Sequence, residues 1–519
     1  MSRKSILILG LIMGISTFAR GGYRDLKEAY DSYGPSVYLQ DQFRPPPERI
    51  EPVAIDREFA RTKKRIEAIK NRWQTSLEVE EDEMMFFRPD SRLLSSLSAA
   101  GKDMDAASNA LSRTYTLKTL EVLTLLRNPG IKAAENRFRG TVESFTQVAE
   151  LDEILRQYSA FTEQTMIGVG PMKGKEPMVI KFPFPGILSL KGEIVNQEVS
   201  VDRQRLEAVR RDAVTSVRKA YWNLVYMIKA TRITAEMVEL LHYLEMAASS
   251  RYEAGKTSYQ DVIKVRINRK TLEEDLITLK EQKRNLEARI REIVNLPAGV
   301  KLGQPKTVSP LQKVPSLKPL YKMAKQRRQE LRQLRARVGK MERMIEMAET
   351  MVLPPYTLKF SFYEDEAVTM VGSQAQRSTF AVTTEASRGA GLPKMPWYGS
   401  EDAYLRETRQ KLSALKDELR KAEVLTNTLV RNAWFELDRA KRETSLYYDE
   451  VVKLSRSALD VSSRGYESGN VTFADVIDSY TIWLKANLAL ERNRSDLGIA
   501  LAVLEQVVGI SPVTRSKER

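Results

Sequence analysis

The chain has no cysteine and one histidine in 519 residues. Without cysteine there is no disulfide, no thiolate metal site, no cysteine nucleophile and no lipidated N-terminal cysteine. One histidine allows no histidine cluster. His242 sits in Leu240-Leu241-His242-Tyr243-Leu244, a helical pattern in which a lone imidazole is packed or solvated. Nucleophile triads are missing too, and Gly168-Val-Gly-Pro-Met-Lys-Gly174-Lys175-Glu176 has the wrong spacing for a phosphate-binding loop and lacks the hydroxyl that would hold magnesium. No catalysis, cofactor or metal is expected. Long apolar runs are also scarce, so a membrane crossing by this chain would be made by strands.

Charge is abundant. The net charge of +15 would suit nucleic acid, since affinity for phosphates grows with the number of basic residues. The 83 basic residues are interleaved with 68 acidic ones, however, as in Arg269-Lys-Thr-Leu-Glu-Glu-Asp275, the pattern of solvated helix faces. No zinc spacing or basic zipper accompanies it, and nucleic acid is not expected as a partner.

Met1-Ser-Arg-Lys4, the short apolar run from Ile6 to Ile15 and Thr17-Phe18-Ala19 form the basic start, core and small-residue cleavage site of a signal peptide over 1–19. The apolar run is too short to cross about 30 Å of hydrocarbon comfortably as an anchor.

The strongest signal is a duplication. Tyr466-Glu-Ser-Gly-Asn-Val-Thr-Phe-Ala-Asp-Val-Ile477 repeats Tyr252-Glu-Ala-Gly-Lys-Thr-Ser-Tyr-Gln-Asp-Val-Ile263 at a separation of 214 positions, ungapped to Ile293-Val294-Asn295 and Val507-Val508-Gly509. A repeated unit of this kind needs its neighbour to bury an apolar face. Gly255 and Gly469 suit left-handed helix caps, Ser258 and Thr472 suit hydroxyl N-caps, and Asp261 and Asp475 suit the first turn of a following helix. Each copy therefore reads as a tight helical hairpin, and the two tips should lie at the same end. Farther upstream, Ala433-Trp-Phe-Glu-Leu437 echoes Ala220-Tyr-Trp-Asn-Leu224 at 213 positions, so one residue has been gained or lost between there and the tips.

Residues 20–110 read as a polar, partly helical extension without assigned chemistry, and 111–300 as the first repeat. The Gly- and Pro-containing stretch 301–315 links it to the second repeat, 316–510, and 511–519 is a tail. In each repeat a first helix, long and running to about Ser159 in the first copy and ended by Leu353-Pro-Pro355 in the second, gives way to extended runs. Those of the first are Met166–Gly170 and Met178–Phe184, followed by Phe182-Pro-Phe-Pro-Gly186; a helix then runs from about Gly192 to Ala254. In the second, Tyr356, Leu358, Phe360 and Phe362 share one strand face, a further strand spans about Ser378 to Ser387, and a helix runs from about Ser400 to Gly465. Such alternation fits either a lipid-facing barrel strand or a half-buried soluble hairpin. Trp397 and Tyr398 suit an interfacial belt. The stripe Val476, Tyr480, Leu484, Leu497, Leu501, Leu504 and Val508 is expected to pack helix on helix.

With these motifs the chain resembles the TolC-like outer-membrane efflux proteins over roughly Tyr115 to Ile510. The two tips carry the resemblance most specifically, with support from Arg127-Asn-Pro-Gly130, the Phe-Pro-Phe-Pro-Gly segment and Glu330-Leu331. It implies a mainly α fold with a small β portion, in which duplicated long helical hairpins form a periplasmic α-barrel. Four strands per protomer would join a shared trimeric 12-stranded outer-membrane β-barrel. The implied partners are two further copies of the chain, a periplasmic adaptor, an inner-membrane pump and outer-membrane lipid. The function implied is a passive exit duct of a tripartite efflux or type I secretion system. Four strands cannot close a barrel alone, and an open edge is not tolerated in lipid.

By the same resemblance, Asp475 and Asp478 match the family's acidic constriction, and Asp261 and Tyr466 match a hydrogen-bonded pair that keeps the tunnel shut. The first tip carries Asp261 and Lys264 at the positions of the two constriction acids. The family's basic gate partner falls on Val471, which cannot ionise. Gly255, Lys256, Thr257 and Ser258, with Gly469, Asn470, Val471 and Thr472, would be the adaptor-docking tips. For the acids, plain complementation of a helix N-terminus is the competing role. Two other readings stay open: a soluble periplasmic scaffold of the same fold, and a cytoplasmic coiled-coil or nucleic-acid-associated protein that keeps its N-terminal segment.

Overall fold

The computed structural model describes residues 52–75, 85–149, 178–181, 185–255, 257–306, 313–352, 356–361, 383–388, 398–468 and 470–511. The expected signal peptide, the strand Met166–Gly170, Lys256, Gly469, Trp397 and most of the tail lie outside them. The chain divides into two compact units.

One unit comprises Met1–Glu67, Val148–Ile194 and Met341–Gln410. Its strands are β1 (Met178–Lys181), β2 (Tyr356–Ser361) and β3 (Thr383–Arg388), antiparallel in the order β1-β2-β3. Ile180 pairs with Leu358, and Leu358 with Ala386. The strand from the first repeat thus pairs with the leading strand of the second, and one sheet joins both copies. The two-residue period around Phe360 becomes strand as expected. Arg65, near the end of this unit's N-terminal segment, reaches Glu193 at 3.3 Å.

The other unit comprises Ala68–Gln147, Val195–Lys340 and Lys411–Arg519 and is helical throughout its longer elements. The extension supplies α1 (Pro52–Thr75), then α2 (Ser91–Leu97) and α3 (Met104–Ser112). The first repeat supplies α4 (Leu117–Arg127), α5 (Pro129–Ala149), α6 (Pro185–Glu253) and α7 (Tyr259–Val294). The second supplies α8 (Leu317–Arg327), α9 (Gln329–Val352) and α10 (Tyr398–Leu446), then a π turn at Tyr447–Val451, α11 (Val452–Glu467) and α12 (Phe473–Val508).

Helix α6 opens earlier than the expected Gly192, at Pro185, because proline is well suited to a first helical turn where its missing N–H costs nothing. Its 69 residues correspond to about 100 Å. Between α4 and α5, Asn128 is extended at ψ 122°; its side chain caps Ile131 N at 3.2 Å and donates to Ile293 O at 2.8 Å. The last residues of α7 and α12 match across the duplication. Asn295 caps α7 at φ 56° and Gly509 caps α12 at φ 80°. Only the second also needs the bare α-carbon, since a Cβ there would come within 2.7 Å of Arg328 Cα.

The duplication is equally clear in the cores. Val217, Ala220, Tyr221 and Leu224 of α6 pack with Leu120, Leu123, Ile290 and Ile293. Val430, Ala433 and Leu437 of α10 pack with Leu320, Ala324, Leu497 and Leu504. Each such leucine or valine contributes about 1.5–3 kcal/mol by leaving water. Between these cores lies a buried ionic group: Arg218 on α6 bridges Glu121 on α4 and Glu505 on α12, with the rings of Phe86 and Phe87 5.9 and 5.5 Å from its guanidinium carbon. Burial pushes the Glu505 carboxyl up, opposed by the charge of Arg218. The extension is therefore packed into the repeats, with Glu207 accepting from Phe86 N at 3.2 Å and Phe86 O accepting from Ser511 N at 3.3 Å. Among the described residues no helix is long and apolar enough to cross a membrane.

Candidate constriction at the helical tips

The first tip forms where α6 ends and Gly255 takes φ 67°, its N–H donating to Tyr252 O at 2.9 Å. Nothing lies within 4 Å of a Cβ built there, so backbone conformation alone calls for glycine. Ser258 then caps α7 through Gln260 N at 3.2 Å, and the Thr257 hydroxyl donates to Asp261 at 2.6 Å.

The second tip is tighter in a different way. Asn470 N and Val471 N both donate to Gly465 O, at 2.8 and 3.2 Å. The Val471 side chain folds back onto Gly465, where a Cβ would meet it at 2.5 Å. Thr472 and Asp475 then form a reciprocal capping box, Asp475 N donating to the Thr472 hydroxyl oxygen at 3.3 Å and Thr472 N to the Asp475 carboxylate at 3.2 Å. Across each tip stands an aromatic pair in matching positions: Tyr252 with Tyr259 at 5.2 Å and Tyr466 with Phe473 at 5.1 Å between ring centroids.

The two tips share one apolar core. Met237, Leu241, Ala248, Val262 and Val265 from the first hairpin pack with Leu459, Phe473, Val476, Ile477 and Tyr480 from the second. Tyr480 also donates to Met237 O at 3.3 Å, and burial raises its phenol pKa. The tips therefore lie at the same end, as the repeated punctuation implies.

The structure brings some of the singled-out residues together and not others. Asp475 and Asp478 stand three positions apart on α12, both exposed. Asp261 is half-buried and engaged with Thr257, while the Tyr466 hydroxyl is buried without a hydrogen-bond partner, so these two do not bond to each other here. Instead Arg251, on the first hairpin, stacks its guanidinium 4.2 Å from the Tyr466 ring centroid and donates to Tyr466 O at 3.4 Å. Sequence reasoning passed over Arg251. The constant separation of 214 places it opposite Gly465, so the first copy carries a cation where the second carries the bare glycine that lets Val471 approach. Valine at 471 thus fills space within its own tip, and the basic group at Tyr466 comes from the other hairpin.

The first hairpin is further pinned by Glu245 of α6, which accepts from Arg266 and Arg269 of α7, each at 2.7 Å. Against the cost of burial, these two arginines hold the Glu245 carboxyl below its ordinary range. Among the described residues no group of histidine and carboxylate side chains is arranged to hold a metal ion.

No curated protein sequence matches the chain. Solved structures do, and at their low identities they speak for the fold. The outer-membrane channel OprN superimposes with a TM-score of 0.61 at 15% identity, over 82% of this chain and 93% of that one. VceC, an outer membrane protein of Vibrio cholerae, gives 0.58 at 14%, over 76% and 96%. The CmeC outer membrane channel of Campylobacter jejuni gives 0.56 at 12%, over 76% and 86%. The family model described as outer membrane efflux protein matches residues 193–296 and 320–510, which include both hairpins, both tips and more than half of the sequence. The chain belongs to the outer membrane efflux protein family, whose members are outer-membrane channels.

Proposed function

We propose that three copies of the chain form a passive exit duct, closed at the helical tips, that serves a tripartite efflux or type I secretion system. The observation that carries this reading is the convergence of both tips on one apolar core, with Asp475 and Asp478 left exposed beside it. Three copies would place six carboxylates around one mouth, where they attract cations and repel one another. The exposed apolar residues support assembly. Ile263 and Ile267 are 40 and 59% exposed on the first hairpin, and Leu454 and Val461 are 67 and 69% exposed on the second. Spacings of four and seven give each hairpin an apolar face that a neighbouring copy would cover, first hairpin to second. The strands β1, β2 and β3, with a fourth from Met166–Gly170, would then contribute to a shared 12-stranded barrel in the outer membrane. The docking surface for a periplasmic adaptor would be Gly255 to Ser258 and Gly469 to Thr472, and the energy would come from an inner-membrane pump.

Tyr466 would act in closure through Arg251, and Asp261 by ordering the first tip through Thr257. The test is planar-bilayer conductance of detergent-purified protein. The duct gives discrete channels with a preference for cations, and Asp475→Asn with Asp478→Asn weakens both that preference and block by polyvalent cations. Unchanged selectivity in the double variant would remove these residues from the constriction.

A further inference from the structure

We propose that the lysine face of α8 binds the carboxylates of cell-wall peptidoglycan. The duplication shows what sets this face apart. Helices α4 and α8 correspond at 200 positions: Leu117 with Leu317, buried Leu120 with buried Leu320, and buried Thr124 with buried Ala324. They end alike, Asn128 N and Arg328 N donating to Thr124 O and Ala324 O at 3.0 Å. The two helices differ on the face opposite these buried positions. In α4 that face is apolar and covered by the extension: Val122 is buried, Leu125 packs on Phe86 and Phe87, and a Cβ on Gly101 would stand 3.4 Å from Leu126. The extension occurs once in the chain, and the corresponding face of α8 is left open. There the counterparts of Val122 and Leu125 are Lys322 and Lys325, both exposed beside Lys318.

Spacings of four and three put these three lysines in one stripe. Like charges so placed repel one another, and Lys318, in the first turn, meets the positive end of the helix dipole. The fold gains nothing in return, since among the described residues none of the three makes an ion pair. On α7, by contrast, Lys270 is paired with Glu273 at 2.8 Å and Lys283 with Glu287 at 3.6 Å. No acid occurs between Glu292 and Glu330, and all the lysines of that stretch, Lys301, Lys306 and Lys313 among them, are exposed. Glu330 itself is taken by Arg211 and Arg328 at 2.8 and 3.0 Å. The compensating charge is left to come from outside the fold. Lysine is depleted in protein–protein interfaces, whereas a row of unpaired ammonium groups suits an extended polyanion. Among the described residues no helix can cross a membrane, so the helical unit of an outer-membrane channel stands in the periplasm, where peptidoglycan carries free carboxylates along its peptide stems. Binding requires this placement and not the duct, although three copies would present the stripe three times and add avidity.

The test is co-sedimentation of the detergent-purified protein with protein-free sacculi. The wild type should pellet at about 0.05 M salt and be released at about 0.5 M, where screening shortens the reach of a charge to about 4 Å. Lys318→Gln with Lys322→Gln and Lys325→Gln should lower the bound fraction at least about fivefold at an unchanged melting temperature, and Lys318→Arg with Lys322→Arg and Lys325→Arg should retain binding. Lys270→Gln with Lys280→Gln and Lys283→Gln removes as much charge from α7 and should bind like the wild type. Amidating the stem carboxylates of the sacculi should abolish binding. Wild-type protein that stays in solution, undiminished binding by the α8 glutamine variant, an equal loss in the α7 variant, or binding to amidated sacculi would overturn the proposal. So would binding that appears only when the acidic run at 78–83 is deleted, because the chain's own carboxylates would then be the occupant. Conductance is read separately, so a protein that binds sacculi but forms no channel would contradict the duct and leave the stripe.

Discussion

At the residue scale, what matters is which charges are paired and which are left exposed. Asp475 has a structural partner in Thr472, so its replacement by Asn alters the capping box as well as the charge, whereas Asp478 is on the next turn and outside that box. The two roles separate by measurement: Asp478→Asn alone should change cation preference without changing thermal stability. Arg251 is a sharper case. Arg251→Ala removes the cation over Tyr466 and should raise basal conductance, with the melting temperature lowered by only a few degrees, since a half-buried cation–π contact is worth about 1 kcal/mol. Equal basal conductance would dismiss Arg251 from closure. Farther from the tips, Arg211 donates to Glu330 at 2.8 Å and, against the cost of burial, its hydrogen bonds and charge hold that carboxyl down to about 2. The folded value lies below the unfolded one, so this stabilisation is complete above the ordinary glutamate range and disappears as pH falls toward about 2. Glu330→Gln should therefore flatten the acid limb of the stability profile measured by thermal melts, and an unchanged limb would contradict the pairing.

At the element scale, much of the hairpin design is legible in the sequence because it is local. Gly255, Ser258, Thr472 and Asp475 specify a left-handed cap, two N-caps and a capping box within a few residues of each other, and the structure uses each of them so. The π turn shows up in the sequence only as the slip from 213 to 214 positions, without its place, since a one-residue insertion in a helix leaves both flanking patterns intact. Arg251 on Tyr466 was hidden because it crosses between hairpins, and the Arg218, Glu121 and Glu505 group because interleaved charges read as a solvated surface. Gly465 tests the second tip. Alanine would gain up to about 1 kcal/mol of helix propensity but force Val471 aside, an overpacking cost of about 1–3 kcal/mol. Gly465→Ala should lower the melting temperature, and adding Val471→Ala should recover part of the loss. A double variant no more stable than the single one would show that the contact is not tight.

At the scale of the whole molecule, the two copies share one apolar core at the tips and are joined above it by Arg218, which bridges Glu121 and Glu505, with Phe86 and Phe87 of the extension packed against that bridge. Membership in the outer membrane efflux protein family and the structural likeness to outer-membrane channels agree with that plan. Of the two hairpins only the second carries an acidic pair, Asp475 and Asp478, at its tip. The most direct test of this account is sided block of the reconstituted channel. A trivalent cation added from the face that exposes the tips should block at much lower concentration than from the opposite face, and Asp475→Asn with Asp478→Asn should abolish that asymmetry. Equal block from both faces in the wild type, or an asymmetry that survives in the double variant, would contradict it.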